Sequence, residues 1–434
     1  MLSTRRRACA LLTFAAILVG SISSVEVADA QTRSGWFRWW SSRRTITTLA
    51  PTTTGAATTT ALITTTAATT TAAPSTTAQV TTTLTPTTTA AATTSTPPRP
   101  QSITAAGLST FRGCTLMPAN TIFHADVRAL PTHAQSATWL DTLGANRGGG
   151  LKAAWGGDQW MGNTAGMPVN IASASQPNEN VIFNRGYATS GPSIDDRTYA
   201  IPDYPLVEGM PSAPAYDRHL MVFQEGSCRS QELYNVANGV ELPANSINDA
   251  LGNAIYANAY GASWIAEAGV QFDMNSALYP TRGEANASHL PYLPLMLRPD
   301  ELTRGSIDHM LGITIGKDRG RGFAWPALAG DGTATSANAI PMGTVFRLRS
   351  DVDITKYSPS AQVILRALQK HGAVIYDSFN AGPDGATLLA MGNGWTGTDY
   401  LSTQRELNGL AMNLFEAVNV SSLAVSPATS WQTR

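Results

Sequence analysis

Between Thr45 and Pro98 the chain carries no charged residue, no aromatic and no cysteine, and is mostly Thr and Ala with scattered Pro, Ser and a few aliphatics. A stretch with so little to bury cannot offset the entropy of ordering its backbone. Residues 45–100 therefore read as a Thr/Ala-rich disordered stalk, O-glycosylated in a eukaryotic host or else an unmodified spacer. Whatever folds must be built from 101–426, with 427–434 as a polar tail.

The stretch before the stalk supplies an address. Arg5, Arg6 and Arg7 precede an uncharged run from Ala8 to Gly20, and Ala28-Asp29-Ala30 has the small-x-small form of a signal-peptidase site. Residues 1–30 are expected to be a signal peptide cleaved after Ala30, which places the mature protein outside the cell or at the cell wall. Residues 31–44 are basic and aromatic, with Trp36-Phe37-Arg38-Trp39-Trp40 clustered among arginines. Interfacial membrane contact, stacking on cell wall, or a propeptide remnant would each account for them. No later stretch reaches the 18 or more apolar residues of a spanning helix, so no transmembrane segment is expected in the mature chain.

Charge narrows the partners. Of 29 Lys+Arg and 30 Asp+Glu in the sequence, seven basic and two acidic residues lie up to Arg44, leaving 22 against 28 beyond it. A mildly acidic folded part argues against nucleic acid. Once Cys9 leaves with the signal, only Cys114 and Cys228 remain, and in an oxidising compartment a disulfide between them is expected, with two separate buried thiols as the other reading. Asn286-Ala287-Ser288 and Asn419-Val420-Ser421 fit the N-glycosylation triplet.

The folded region is punctuated throughout by Gly and Pro. His219–Gln224 and Ser230–Val236 read as strands of a hairpin turning around Glu225–Cys228. Further strands are expected at 181–183, 269–274, 309–315, 344–348 and 373–376. Helices are expected at Pro359–Lys370, with Ser358 as cap and Val363, Ile364, Ala367 and Leu368 on one face, at 136–143 and at 246–257. The pattern predicts a mainly β domain, an antiparallel β-sandwich or jelly roll with a few peripheral helices.

A succession of short motifs runs through this region: Cys114, Pro118-Ala119-Asn120, Leu130-Pro131, Asp217-Arg218-His219, Cys228, Glu232-Leu233-Tyr234, Asn275-Ser276-Ala277-Leu278, Ile307-Asp308-His309, Trp325-Pro326-Ala327, Pro341-Met342-Gly343 and Tyr357-Ser358-Pro359. In this order the chain resembles a family of secreted, uncharacterised β-rich proteins common in bacteria and scattered in microbial eukaryotes. The resemblance implies one domain of about 320 residues and no particular activity. It gives His124 no role, because the relatives carry a small polar residue there.

The sequence has no Gly-x-Ser-x-Gly, no His-Glu-x-x-His, no phosphate-binding loop and no calcium loop. No cofactor is expected, and His124 with Asp126 is too thin a hint for a metal site. Glu232 and Tyr234, two apart in a strand, should share a sheet face, with His219 on the partner strand. Glu232 and Asp273 could then act as a carboxylate pair on a glycan, with His219 and His309 moving protons or orienting groups. Tyr234, Trp325 and Asp377 are candidate sugar contacts, and Arg218 could neutralise a uronate carboxylate if His and Tyr ran a lyase. The function expected is action on extracellular or cell-wall polysaccharide, as glycoside hydrolase or polysaccharide lyase, or non-catalytic binding as a matrix or adhesion protein.

Overall fold

The computed structural model describes residues 108–160, 163–183, 198–209, 217–238, 264–379, 384–396 and 400–434. The signal, the basic aromatic segment, the stalk and the helix expected at 246–257 lie outside these residues.

In chain order the strands that build the fold are β1 (Gly150–Lys152), β2 (Val169–Ala172), β3 (Glu179–Phe183), β4 (Thr198–Tyr199), β5 (Leu220–Gln224), β6 (Arg229–Tyr234), β7 (Ala237–Asn238), β8 (Trp264–Ala266), β9 (Ala268–Asp273), β10 (Leu311–Gly316), β11 (Val345–Leu348), β12 (Ala373–Phe379), β13 (Gly385–Leu388) and β14 (Phe415–Val418). The helices are α1 (Ser136–Thr142), α2 (Pro299–Arg304), α3 (Pro359–Lys370) and α4 (Tyr400–Leu407). Strand is the dominant structure, as the Gly/Pro punctuation predicts.

Three main sheets result. A six-stranded sheet has the order β14-β11-β12-β10-β13-β1, a middle sheet β9-β6-β5-β2, and an outer sheet β7-β8-β3-β4. Pairing is mixed where antiparallel pairing was expected: β10 with β12, β13 with β1, β2 with β5, and β8 with β3 run parallel. The hairpin β5–β6 is antiparallel, with Glu232 opposite Met221.

Side-chain alternation turns each sheet into a wall between two cores. Leu311, Ile313, Phe346, Leu348, Ala373 and Ile375 face the helices, where they meet Trp139 of α1, Val363, Ile364 and Leu368 of α3, and Leu407 of α4. On the other face Val345, Val374 and Val418 meet Val169, Met221, Phe223, Val270 and Phe272 of the middle sheet. The far face of that sheet, with Leu220, Val222 and Leu233, packs on Val181, Trp264 and Ala266 of the outer sheet. Helices, six-stranded sheet, middle sheet and outer sheet thus form four successive layers.

Helix α3 has the bounds its sequence predicts. The Ser358 hydroxyl accepts from the Ala361 amide at 3.4 Å, Pro359 occupies the first turn, and Gly372 takes φ 72° just beyond the helix. Cys114 and Cys228 form a disulfide, with Cα atoms 5.7 Å apart, that joins the start of the domain to the β5–β6 turn. Residues 427–434 are no free tail. Trp431 is fully buried, its indole donates to the Pro326 carbonyl at 3.1 Å, and Gln432 bridges Thr121. A large ring near the end of a chain is reason enough to dock that end.

Candidate functional site: a carboxylate cluster around His219

Strand alternation sets His219, just before β5, on the same side as Met221, and sets Ser230, Glu232 and Tyr234 of β6 on that side too. This is the interior between the middle and six-stranded sheets. The His219 and Tyr234 rings lie 5.2 Å apart between centroids, so the expected grouping of His219, Glu232 and Tyr234 is assembled.

His219 is the hub. Its Nδ1 donates to Glu208 Oε2 at 2.6 Å, and its Nε2 faces the Tyr292 hydroxyl at 2.9 Å and the Ala285 carbonyl at 3.0 Å. The Tyr292 hydroxyl in turn donates to Asp377 Oδ2 at 3.2 Å. Burial alone would push the imidazolium down, but the Glu208 charge and hydrogen bond, helped by Asp217 and Asp377, outweigh it and raise the His219 pKa to about 9. His219 is therefore charged at neutral pH, and Glu208, His219, Tyr292 and Asp377 form one directed chain of donors and acceptors.

Asp377 reaches this chain through an irregularity. Ile313 pairs with Ile375 but Thr314 pairs with Asp377, so Tyr376 is an extra residue in β12. Thr314 lies on the opposite side from the helix-facing Ile313, and its partner Asp377 therefore points to the inter-sheet side as well. Unbroken alternation would have aimed Asp377 at the helices; bulges re-aim side chains in this way. Besides Tyr292, the Asp377 carboxylate accepts from the backbone amides of Ser378 at 2.8 Å and Ala287 at 3.2 Å. Desolvation lifts its pKa, the His219 charge and the Ser378 amide pull it back, and the balance is about 7.

The cluster grades from open to closed. Asp217 is exposed, Asp377 and Glu208 are half-buried, and His219, Glu232 and Tyr292 are buried. Asp217 is solvent-accessible yet surrounded by protein, and its carboxyl titrates above the ordinary range through desolvation first and the Glu208 charge second. Glu232 accepts from Ser230 Oγ at 2.9 Å and from the Tyr292 amide at 3.0 Å, while among the described residues its Oε2 has no hydrogen-bond partner. Burial pushes the Glu232 pKa up to about 8, so this carboxyl is mostly neutral at pH 7.

Other expected site residues are placed elsewhere. Asp273 pairs with Arg229, three residues from Glu232, and so points to the opposite face of the middle sheet. The Glu232–Asp273 pair is not assembled; Asp273 instead caps a turn, accepting from the Asn275 amide at 2.9 Å. His309 is a buried histidine held by Glu301 Oε1 at 2.7 Å and the Met310 carbonyl at 2.8 Å. Arg218 is fully enclosed, with Nε and Nη2 turned to the Val236 carbonyl, and burial lowers its pKa to about 10. It is not presented to a uronate. The Trp325 indole donates to the Ser430 carbonyl at 3.3 Å, and the ring packs beside the inter-sheet core.

His124 is buried against the carbonyls of Asp308 and Leu116, while Asp126 binds Arg128 Nε at 2.9 Å. Among the described residues no group of three or more His, Cys, Asp or Glu could hold a metal ion. Of the two glycosylation triplets, Asn419 is exposed, whereas the Asn286 amide donates to the Leu290 carbonyl at 2.6 Å.

Two members of the cluster escape sequence reasoning. Glu208 sits in a loop between Val207 and Gly209, and Tyr292 lies in the apolar run Leu290–Leu295, where a tyrosine reads as core. No family model, no curated protein and no solved structure matches this chain. Function must be argued from the site itself.

Proposed function

We propose that the chain is a secreted protein that cleaves glycosidic bonds in an extracellular or cell-wall polysaccharide, with Asp377 as proton donor and Asp217 as the partnering carboxylate. The observation that carries this reading is the hydrogen-bonded chain from Glu208 through His219 and Tyr292 to Asp377. It ends on a half-buried carboxyl whose pKa is near 7. An acid poised near the working pH is what proton donation to a leaving oxygen requires.

Hydrolysis balances with these groups alone. Protonated Asp377 gives its proton to the glycosidic oxygen as the bond to the anomeric carbon breaks. Asp217 takes a proton from the water that attacks that carbon and then releases it to solvent, and Asp377 is reprotonated from solvent, which returns both carboxyls to their starting states. The charged His219 offsets the mutual repulsion of Glu208, Asp217 and Asp377 and, through Tyr292, fixes the Asp377 carboxylate. Glu232 is enclosed and acts as packing, not as a reacting group. The lyase reading is weaker, because the enclosed Arg218 leaves the uronate without its expected partner. Secretion is supported by the Cys114–Cys228 disulfide, a bond that persists in oxidising compartments. Among the described residues no helix is long and apolar enough to cross a membrane.

The test is release of reducing ends from a panel of neutral and amino-sugar polysaccharides by the purified chain. Asp377→Asn is expected to lower turnover by about 10²- to 10⁴-fold, the usual share of a general acid. Turnover by the Asn variant equal to the parent would remove Asp377 from the chemistry, and absence of cleavage across the panel would leave a binding protein.

A further inference from the structure

A cavity of about 250 Å³ opens at a place the acid/base cluster does not use, the free edge of β9. The Cys228 carbonyl accepts from the Met274 amide at 3.0 Å, and the same register pairs Ser230 with Phe272 and Glu232 with Val270. In an antiparallel ladder the intervening residues turn their polar groups the other way. The backbone N–H and C=O of Gln271 and the N–H of Gly269 therefore point outward, towards the cavity, while Gly283 packs against the Gly269 carbonyl. Such an edge attracts any ligand that can complete its hydrogen bonds.

The walls select among ligands. Gly283 lies so close to the edge that a Cβ there would stand 2.1 Å from the Gly269 carbonyl oxygen, which closes one end and stops an added peptide strand from running through. Arg229 and Asp273 oppose each other across the ladder and both line the cavity. Both are exposed, and among the described residues Arg229 makes no ion pair. Arg282 lines the cavity as well, so the wall mixes two cations with one anion, and a simple anion or cation would meet a like charge in either case. Leu278 and Tyr279 supply an apolar wall. The volume is below the roughly 300–1,000 Å³ of pockets for drug-sized molecules, so it suits one ring and not a chain.

We propose that this cavity is a non-catalytic saccharide subsite that takes one ring of a neutral glycan. Sugar hydroxyls donate and accept at once, as do the amides and the Gln271 carbonyl of the open edge, and Arg229 and Asp273 offer a matched donor and acceptor. The ring's C–H face packs on Leu278 and Tyr279. The choice of a glycan rests on the polysaccharide reading above; the binding does not depend on the chemistry at Asp377.

The experiment uses the full chain carrying Asp377→Asn, titrated calorimetrically with cellotetraose and with chitotetraose up to about 10 mM, and followed by hydrogen exchange. At least one tetrasaccharide is expected to bind and to slow exchange of the Gly269 and Gln271 amides. Arg229→Ala and Asp273→Ala are each expected to weaken binding by roughly tenfold or more. Arg229→Lys, which keeps the charge and removes the fork, should show an intermediate loss and guards against misfolding. No binding by either sugar, protection confined to other segments, or affinity unchanged in all three variants would overturn the subsite. A parent chain that releases no reducing ends yet protects β9 would sink the hydrolase reading alone.

Discussion

Single residues decide what the cluster can do. Glu208 matters because its charge keeps His219 protonated, and Tyr292 because one hydroxyl joins the histidine to Asp377. Both were invisible in sequence, since a loop glutamate and a tyrosine inside an apolar run have ordinary structural explanations. His219, Glu232 and Tyr234 were legible, because strand alternation alone puts them on one side. Glu232 carries a prediction of its own. Its carboxyl is largely neutral at pH 7 in the folded chain, so Glu232→Gln should leave reducing-end release within about threefold of the parent. A hundredfold loss would restore it to the chemistry. Glu232 and Asp377 also bind protons more tightly folded than unfolded. Their contribution to stability is full below their ordinary carboxyl range and is lost as pH rises through about 7 for Asp377 and about 8 for Glu232. His219 acts in the same direction, from its ordinary value up to about 9. Melting temperature is therefore expected to fall between pH 6 and pH 9, about, and Glu232→Gln to flatten part of that slope. A melting temperature that rises over the interval would contradict the assignment.

Elements show where local pattern suffices and where it does not. Helix α3 was legible to the residue because cap, first-turn proline, apolar face and terminating glycine agree. Ser358→Ala should cost about 1 kcal/mol in denaturant unfolding, since the Ala361 amide loses its acceptor. No change in the midpoint would mean that the cap is not formed in solution. The bulge at Tyr376 is the opposite case. Asp377 could be placed at a strand end from sequence, but its direction depends on one extra residue relative to β10, and nothing in Ala373–Phe379 announces it. The hairpin β5–β6 was legible for its turn, whereas the partners of its outer edges, β2 and β9, come from distant segments. Asp273 shows the cost: three residues of ladder separate its partner Arg229 from Glu232, and an odd separation puts the two carboxylates on opposite faces.

At the scale of the molecule, a mainly β domain with peripheral helices was readable, but the layering was not. Parallel pairings such as β10 with β12 join strands about 60 residues apart, and no local signal orders them. The docking of Trp431 is likewise a long-range event. Within this stack the Cys114–Cys228 disulfide closes a long loop, and its removal by paired Cys→Ser substitutions is expected to cost about 2–5 kcal/mol in equilibrium unfolding. Equal stability with and without the bond would show that it constrains little. The stack also explains why the cluster exists: a bulged strand from one sheet and a hairpin from the next face each other, and His219 is where their polar groups meet. That claim is tested most directly by titrating the His219 imidazole by nuclear magnetic resonance in the parent chain and in Glu208→Gln. A midpoint of about 9 is expected in the parent, with a clear downward shift in the variant. A parent midpoint at or below about 6.5, the ordinary histidine value, or no shift on removing the Glu208 charge, would contradict it.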